Sequence, residues 1–106
     1  AESHPLSAIS FAEVLQASDV PAGVVNILTG SIGETLPHLA AHMDVNGLLL
    51  AIDDQDALLA ASKSAAENLK RVSVRRGVDY QSTDAEGLLS IAAFQEIKTT
   101  WHPIAR

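Results

Sequence analysis

Three consecutive leucines, Leu48-Leu49-Leu50, bounded by Asn46-Gly47 on one side and Asp53-Asp54 on the other, constrain this chain most. An uninterrupted apolar run this short, centred in Val45 to Ile52, is the pattern of a strand covered on both faces, the usual state of strands in a parallel sheet. The residues that follow supply the crossover such a strand needs. Asp53 suits a helix N-cap, and Leu58, Ala61, Ala65 and Leu69 recur on one face of a long helix that ends in basic Lys70 and Arg71. Val72 and Val74, alternating with Ser73 and Arg75, predict the next strand, which Gly77 stops.

The same alternation extends upstream. Ala8, Phe11, Ala12 and Leu15 recur at helical spacing and predict a helix over Leu6 to Ala17. Ser18-Asp19 and Pro21-Ala22-Gly23 break it, and Val24 to Leu28 is a β-prone run that ends at Gly30. A short helix over Thr35 to His42 follows, with Pro37 tolerable near its first turn, where the missing N–H would lack an intrahelical partner anyway. Helices alternating with strands predict an α/β fold, a small Rossmann-like three-layer domain with a mostly parallel sheet. Beyond Tyr80, residues 81–86 are polar and turn-like. A small helix over Leu88 to Phe94 is expected there, and Ile97 to Ile104 is expected to form a terminal edge strand. The whole of 1–106 reads as a single domain, in which 80–106 is a linker, short helix and last strand.

Composition limits the chemistry. Of 106 residues, 47% are hydrophobic and 19% charged, the balance of a chain that folds. A net charge of −6 opposes phosphate backbones and anionic membrane surfaces, so neither nucleic acid nor membrane is expected as a partner. No apolar run approaches the roughly 20 residues of a membrane span. Cysteine is absent, which excludes disulfides, thiolate metal sites and cysteine nucleophiles. A reducing, cytoplasmic setting is the expectation, and a start at Ala1-Glu2 without methionine is expected of a piece of a longer protein. His38 and His42 have the spacing of a zinc pair, but Leu39 occupies the glutamate position of His-Glu-x-x-His and no third ligand is evident. Asp53, Asp54 and Asp56 lack the glycine and glutamate of a calcium loop. No metal site is expected. Lys70, Arg71, Arg75 and Arg76 read as a solvated helix end and strand edge.

The segment Pro21-Ala22-Gly23-Val24-Val25-Asn26-Ile27-Leu28-Thr29-Gly30 is similar to a signature of the aldehyde dehydrogenases, Pro-x-Gly-Val-x-Asn followed by two apolar residues, x and Gly. Glu2-Ser3-His4-Pro5-Leu6 resembles the tail of the family's Lys-Pro-Ser-Glu-x-Thr-Pro-Leu segment. His42-Met43-Asp44-Val45 and the stretch from Ala65 to Val72 resemble family sequence too. The resemblance runs from Glu2 to about Arg76 and implies that 1–79 is the nucleotide-binding half of such an enzyme. Glu96-Ile97-Lys98-Thr99-Thr100-Trp101 resembles the family's closing strand, so a catalytic domain's worth of sequence is replaced by about twenty residues.

The resemblance also shows what has changed. In the family a Gly-Ser segment leads into a helix whose N–H groups receive the cofactor pyrophosphate. Here Ala51-Ile52-Asp53-Asp54-Gln55-Asp56-Ala57 has no glycine and three carboxylates. Two like charges about 4 Å apart repel by about 1 to 4 kcal/mol at dielectrics of 80 to 20. Arg75 aligns with the family's general base and cannot accept a proton near neutral pH. The thiol nucleophile is missing as well. No catalytic residue is therefore assigned, and no cofactor is expected for this segment. Glu2 aligns with the glutamate that contacts the adenosine ribose and is the one vestigial cofactor-binding candidate, although an exposed N-terminal glutamate is the preferred reading. The resemblance is to the degenerate second domain of family-16-type bipartite aldehyde dehydrogenases. It implies a parent that oxidises aldehydes with NAD, and a segment used for docking or oligomerisation against other dehydrogenase domains of the same or a second chain. Ile97, Thr99, Trp101 and Ile104 are the candidate interface residues, Trp101 being equally compatible with a core position. The alternative is a residual nucleotide-binding module with an adenosine pocket near Glu2.

Overall fold

The computed structural model describes residues 2–103, the side chain of Asp84 excepted. The chain divides into two compact units, one running to Leu39 and the other beginning at Ala40.

In the first unit, α1 spans Leu6–Gln16. Ala8, Ala12 and Leu15 are half-buried, but Phe11, expected on the same stripe, is exposed, and no residue of the helix is fully buried. The chain then reverses at Pro21, where the Val24 N–H donates to the Pro21 carbonyl at 3.3 Å and Gly23 takes φ +83°. That is the conformation required at the third position of a type II turn, and it explains why glycine stands there. Asn26 adds a bond from its Nδ2 to the Gly23 carbonyl at 3.0 Å. The strand expected over Val24 to Leu28 does not form. A strand exists through its ladder, and among the described residues β-pairing joins only the two segments of the second unit.

Helix α2 spans Ile32–Ala41, starting three residues before the expected Thr35. Ser31 explains the earlier start, since its carbonyl accepts from the N–H groups of Glu34 and Thr35 and from Thr35 Oγ1. Pro37 consequently lies at the sixth position, inside the helix, and removes the bond to the Gly33 carbonyl that an ordinary residue would make.

The second unit contains a β-α-β crossover. Strand β1 (Gly47–Leu50) pairs in parallel with β2 (Arg71–Val74), Leu48 opposite Val72 and Leu50 opposite Val74. The Arg71 N–H to the Asn46 carbonyl and the Arg75 N–H to the Leu50 carbonyl carry the pairing beyond both ends. Helix α3 (Gln55–Ala66) makes the crossover and buries Leu58, Ala61 and Ala65, the apolar stripe expected of it. Leu48 and Leu50 are buried with them. The α/β class holds, in a two-stranded parallel sheet. Coverage of β1 on both faces does not: Leu49 is 51% exposed, because side chains alternate along a strand and only the Leu48–Leu50 side is fully covered.

Leu69 also departs from expectation. Expected on the core stripe, it is 90% exposed and has φ +57°. The helix closes as a Schellman motif, with the Lys70 N–H to the Ala65 carbonyl at 3.0 Å and the Leu69 N–H to the Ala66 carbonyl at 3.3 Å. This puts Leu69 at the left-handed position usually held by glycine. The reversal leaves Lys70 only 8% exposed, not solvated at a helix end, and its Nζ donates to Asn68 Oδ1 at 2.6 Å. Asn68 Nδ2 donates in turn to the Met43 carbonyl at 3.2 Å, tying the end of α3 to the approach to β1.

After β2 come a short 3-10 helix, Thr83–Glu86, and helix α4 (Leu88–Ala92). The segment folds back on the sheet: a Cβ at Gly47 would lie 2.8 Å from Phe94 ring carbons, and Arg71 donates to the Gln95 carbonyl at 2.9 Å. The expected terminal strand is absent, since residues 97–103 have no regular structure. No strand edge receives them, and Pro103 has no N–H to offer one. Ile104 lies outside the described residues.

Replacing Leu69 with glycine should stabilise the chain by about 1 kcal/mol, because it relieves a left-handed side chain that packs on nothing. Urea unfolding should show a higher midpoint at unchanged slope.

Candidate functional site

In a β-α-β crossover the N-terminus of the helix, beside the carboxyl ends of the strands, is where the backbone presents free N–H groups to an anion. At this end of α3 two of those groups are already engaged. Asp54, not the expected Asp53, is the N-cap: its Oδ1 accepts from the N–H of Asp56 at 3.0 Å and of Ala57 at 3.1 Å. The shift by one residue follows from geometry, since a cap carboxylate must reach the amides two and three positions ahead. Asp53 points elsewhere, to Arg76, with Oδ1 3.7 Å from the guanidinium Nε. With its side-chain oxygen turned to Arg76, Gln55 accepts from Nη2 at 3.0 Å and also from Nη1. The basic residue after β2 is thus braced against the first residues of α3, two elements made neighbours by the parallel pairing of their strands.

Arg75, in the place of the general base, donates its backbone N–H to the ladder with Leu50 and offers no proton acceptor. A nucleotide diphosphate does not fit here. The two amides it would use carry Asp54, and every residue from Ile52 to Ala57 has a Cβ that restricts backbone approach.

Glu2 is exposed, and it makes one bond away from its own segment. Its Oε2 accepts from the Ile32 N–H at 3.3 Å, at the first residue of α2. Beside it is a hollow of about 160 Å³ lined by Glu2, Pro5, Leu28, Gly30, Ile32 and Thr35. That is below the roughly 300 to 1,000 Å³ of typical small-molecule pockets. The Glu2 to Ile32 bond joins positions thirty apart and had no local signal in the sequence.

The two histidines do not share a helix face, since α2 ends at Ala41. His42 lies past the end of α2 and its Nδ1 accepts from the Asp44 N–H at 3.2 Å. Among the described residues no three His, Cys, Asp or Glu side chains converge on a metal position, and no helix is long and apolar enough to cross a membrane. Of the interface candidates, Ile97 is 88% and Trp101 80% exposed, which removes the core reading of the tryptophan; Thr99 is exposed too.

The chain matches the aldehyde dehydrogenase family over residues 1–81. It belongs to that family. It is 48% identical over 48 residues to a hydroxyisobutyraldehyde dehydrogenase of Mycolicibacterium austroafricanum, covering 45% of this chain and 10% of that protein. It is 32% identical over 77 residues to aldehyde dehydrogenase 9 of Polyandrocarpa misakiensis, covering 73% of this chain and 34% of the relative. An aldehyde dehydrogenase of Emericella nidulans is 29% identical over 102 residues, covering 89% of this chain and 20% of its own length. The chain therefore spans from a tenth to about a third of these relatives. No solved structure matches it. The family match stops at residue 81, short of the Lys98 to Trp101 segment that resembles a family closing strand.

Asp54→Ala should destabilise the chain by about 1 kcal/mol through loss of the α3 cap, read from chemical denaturation, while Asp53→Ala should have a much smaller effect.

Proposed function

We propose that this segment is a non-catalytic aldehyde dehydrogenase-like module, a small Rossmann-like half that serves docking or oligomerisation. The longer protein it would serve oxidises aldehydes with NAD, in the cytoplasm. One observation carries the reading: the C-terminal segment holds Ile97 and Trp101 in the open, in a chain that has no thiol. A bare tryptophan with a neighbouring isoleucine is the residue type that dominates interface energetics when covered. The partner is another dehydrogenase domain, of the same or a second chain, and a second copy of this module is one such partner. Relatives named as aldehyde dehydrogenases support the oxidoreductase assignment of the longer protein.

A second reading draws on Glu2. A carboxylate on the first amide of α2, beside a hollow, suits the hydroxyls of an adenosine, and this would make the segment a residual nucleotide module. The small hollow favours the docking role.

The test is sedimentation of the whole chain over a concentration series. Reversible self-association is expected, and the Ile97→Ser/Trp101→Ser variant should weaken it by roughly tenfold or more. A chain monomeric at every concentration sinks the self-association reading. No NADH should form from NAD and an aldehyde, and calorimetry with AMP should be flat; a saturable AMP isotherm abolished by Glu2→Gln would favour the adenosine reading instead.

A further inference from the structure

The start of α3 does more than fail to fit a phosphate. Two aspartates divide the work of closing it. Asp54 places a carboxylate oxygen 3.0 and 3.1 Å from the amide nitrogens of Asp56 and Ala57, the pair that a bound anion would draw on. Asp53 faces Arg76, 3.7 Å from Oδ1 to Nε, and Gln55 meets the other guanidinium nitrogens. Without those partners, the same place would present a guanidinium and two free amides at the end of a twelve-residue helix, each of which favours an anion.

We propose that α3 carries its own anion: the Asp54 carboxylate substitutes for a ligand phosphate on the helix amides, and Asp53 neutralises Arg76, so that this end of the crossover is closed to nucleotide diphosphates by occupancy and charge together. The fold retains the backbone of a phosphate site, and two side chains mask it. The inference stands apart from the docking reading, because it concerns amides of α3 and makes no use of the segment around Trp101.

The experiment uses the full chain, labelled with nitrogen-15, and inorganic pyrophosphate as the probe. In the native sequence the amide resonances of Gln55, Asp56 and Ala57 should not move at millimolar pyrophosphate. In D53S/D54G, where glycine is itself a tolerated N-cap, those resonances should shift saturably, with affinity at least roughly tenfold above the native chain and weakened by added salt. Adding Arg76→Ala to that variant should remove the gain. D53S alone keeps the α3 cap and frees Arg76, so a smaller gain is expected, and it serves as the measurement if the double variant does not fold by circular dichroism. Saturable shifts at 55–57 in the native chain would overturn the proposal, because the site would then be open. Folded D53S/D54G without a gain would overturn it too, as would D53S without a gain where only that variant folds, since the aspartates would not be what closes the site.

Discussion

The parallel pairing of β1 with β2 is the constraint on which the second unit depends. Parallel neighbours cannot be joined by a tight turn, so the chain must leave Leu50, travel the length of α3 and return at Arg71. The crossover lays α3 against β2, and most of the buried apolar residues, Leu48 and Leu50 of β1 with Leu58, Ala61 and Ala65 of α3, belong to these elements. It also brings the two strand ends together, which is why Arg76 can reach Asp53 and Gln55. The relay from Met43 through Asn68 to Lys70 closes the opposite end. Both ends of the crossover are thus held by polar bonds and its middle by packing.

The elements with strong local patterns were legible in the sequence. The leucine run with its flanking Asn-Gly and Asp-Asp predicted β1, and the three-to-four spacing of Leu58, Ala61 and Ala65 predicted α3. Features that depend on a distant partner were not legible. Val24 to Leu28 has the composition of a strand, yet composition does not supply a neighbour to pair with, and the same is true of Ile97 to Pro103. Leu69 continues the helical spacing but sits past the point where the backbone turns left-handed, and periodicity does not register that reversal. Lys70 shows the same limit from the other side, since a lysine at a helix end is ordinarily solvated and here Asn68 draws it in.

At the candidate site, the sequence disclosed what was missing and the structure discloses what replaces it. The absent glycine, base and thiol could be counted from residue types alone. The exchange of roles between adjacent aspartates could not, because Asp53 and Asp54 are chemically the same and differ only in which amides and which guanidinium lie within reach. Glu2 is the converse case: alignment marked it as vestigial, and a bond to Ile32 gives it a structural part in the first unit whether or not any nucleotide is met.

The contact between Gly47 and Phe94 has a consequence for how this sequence can change. A side chain at 47 would drive a Cβ to 2.8 Å from the ring, so the residue that opens β1 is restricted by one almost half the chain away. The restriction is conditional. While an aromatic ring occupies position 94, substitutions at 47 require that ring to move; once a smaller residue stands there, β-branched residues that suit a strand become admissible at 47. Related sequences should therefore show the two positions changing together, with 94 shrinking before 47 grows, and the history of the segment beyond residue 81 would be written partly in the first residue of a strand that lies well inside the family match.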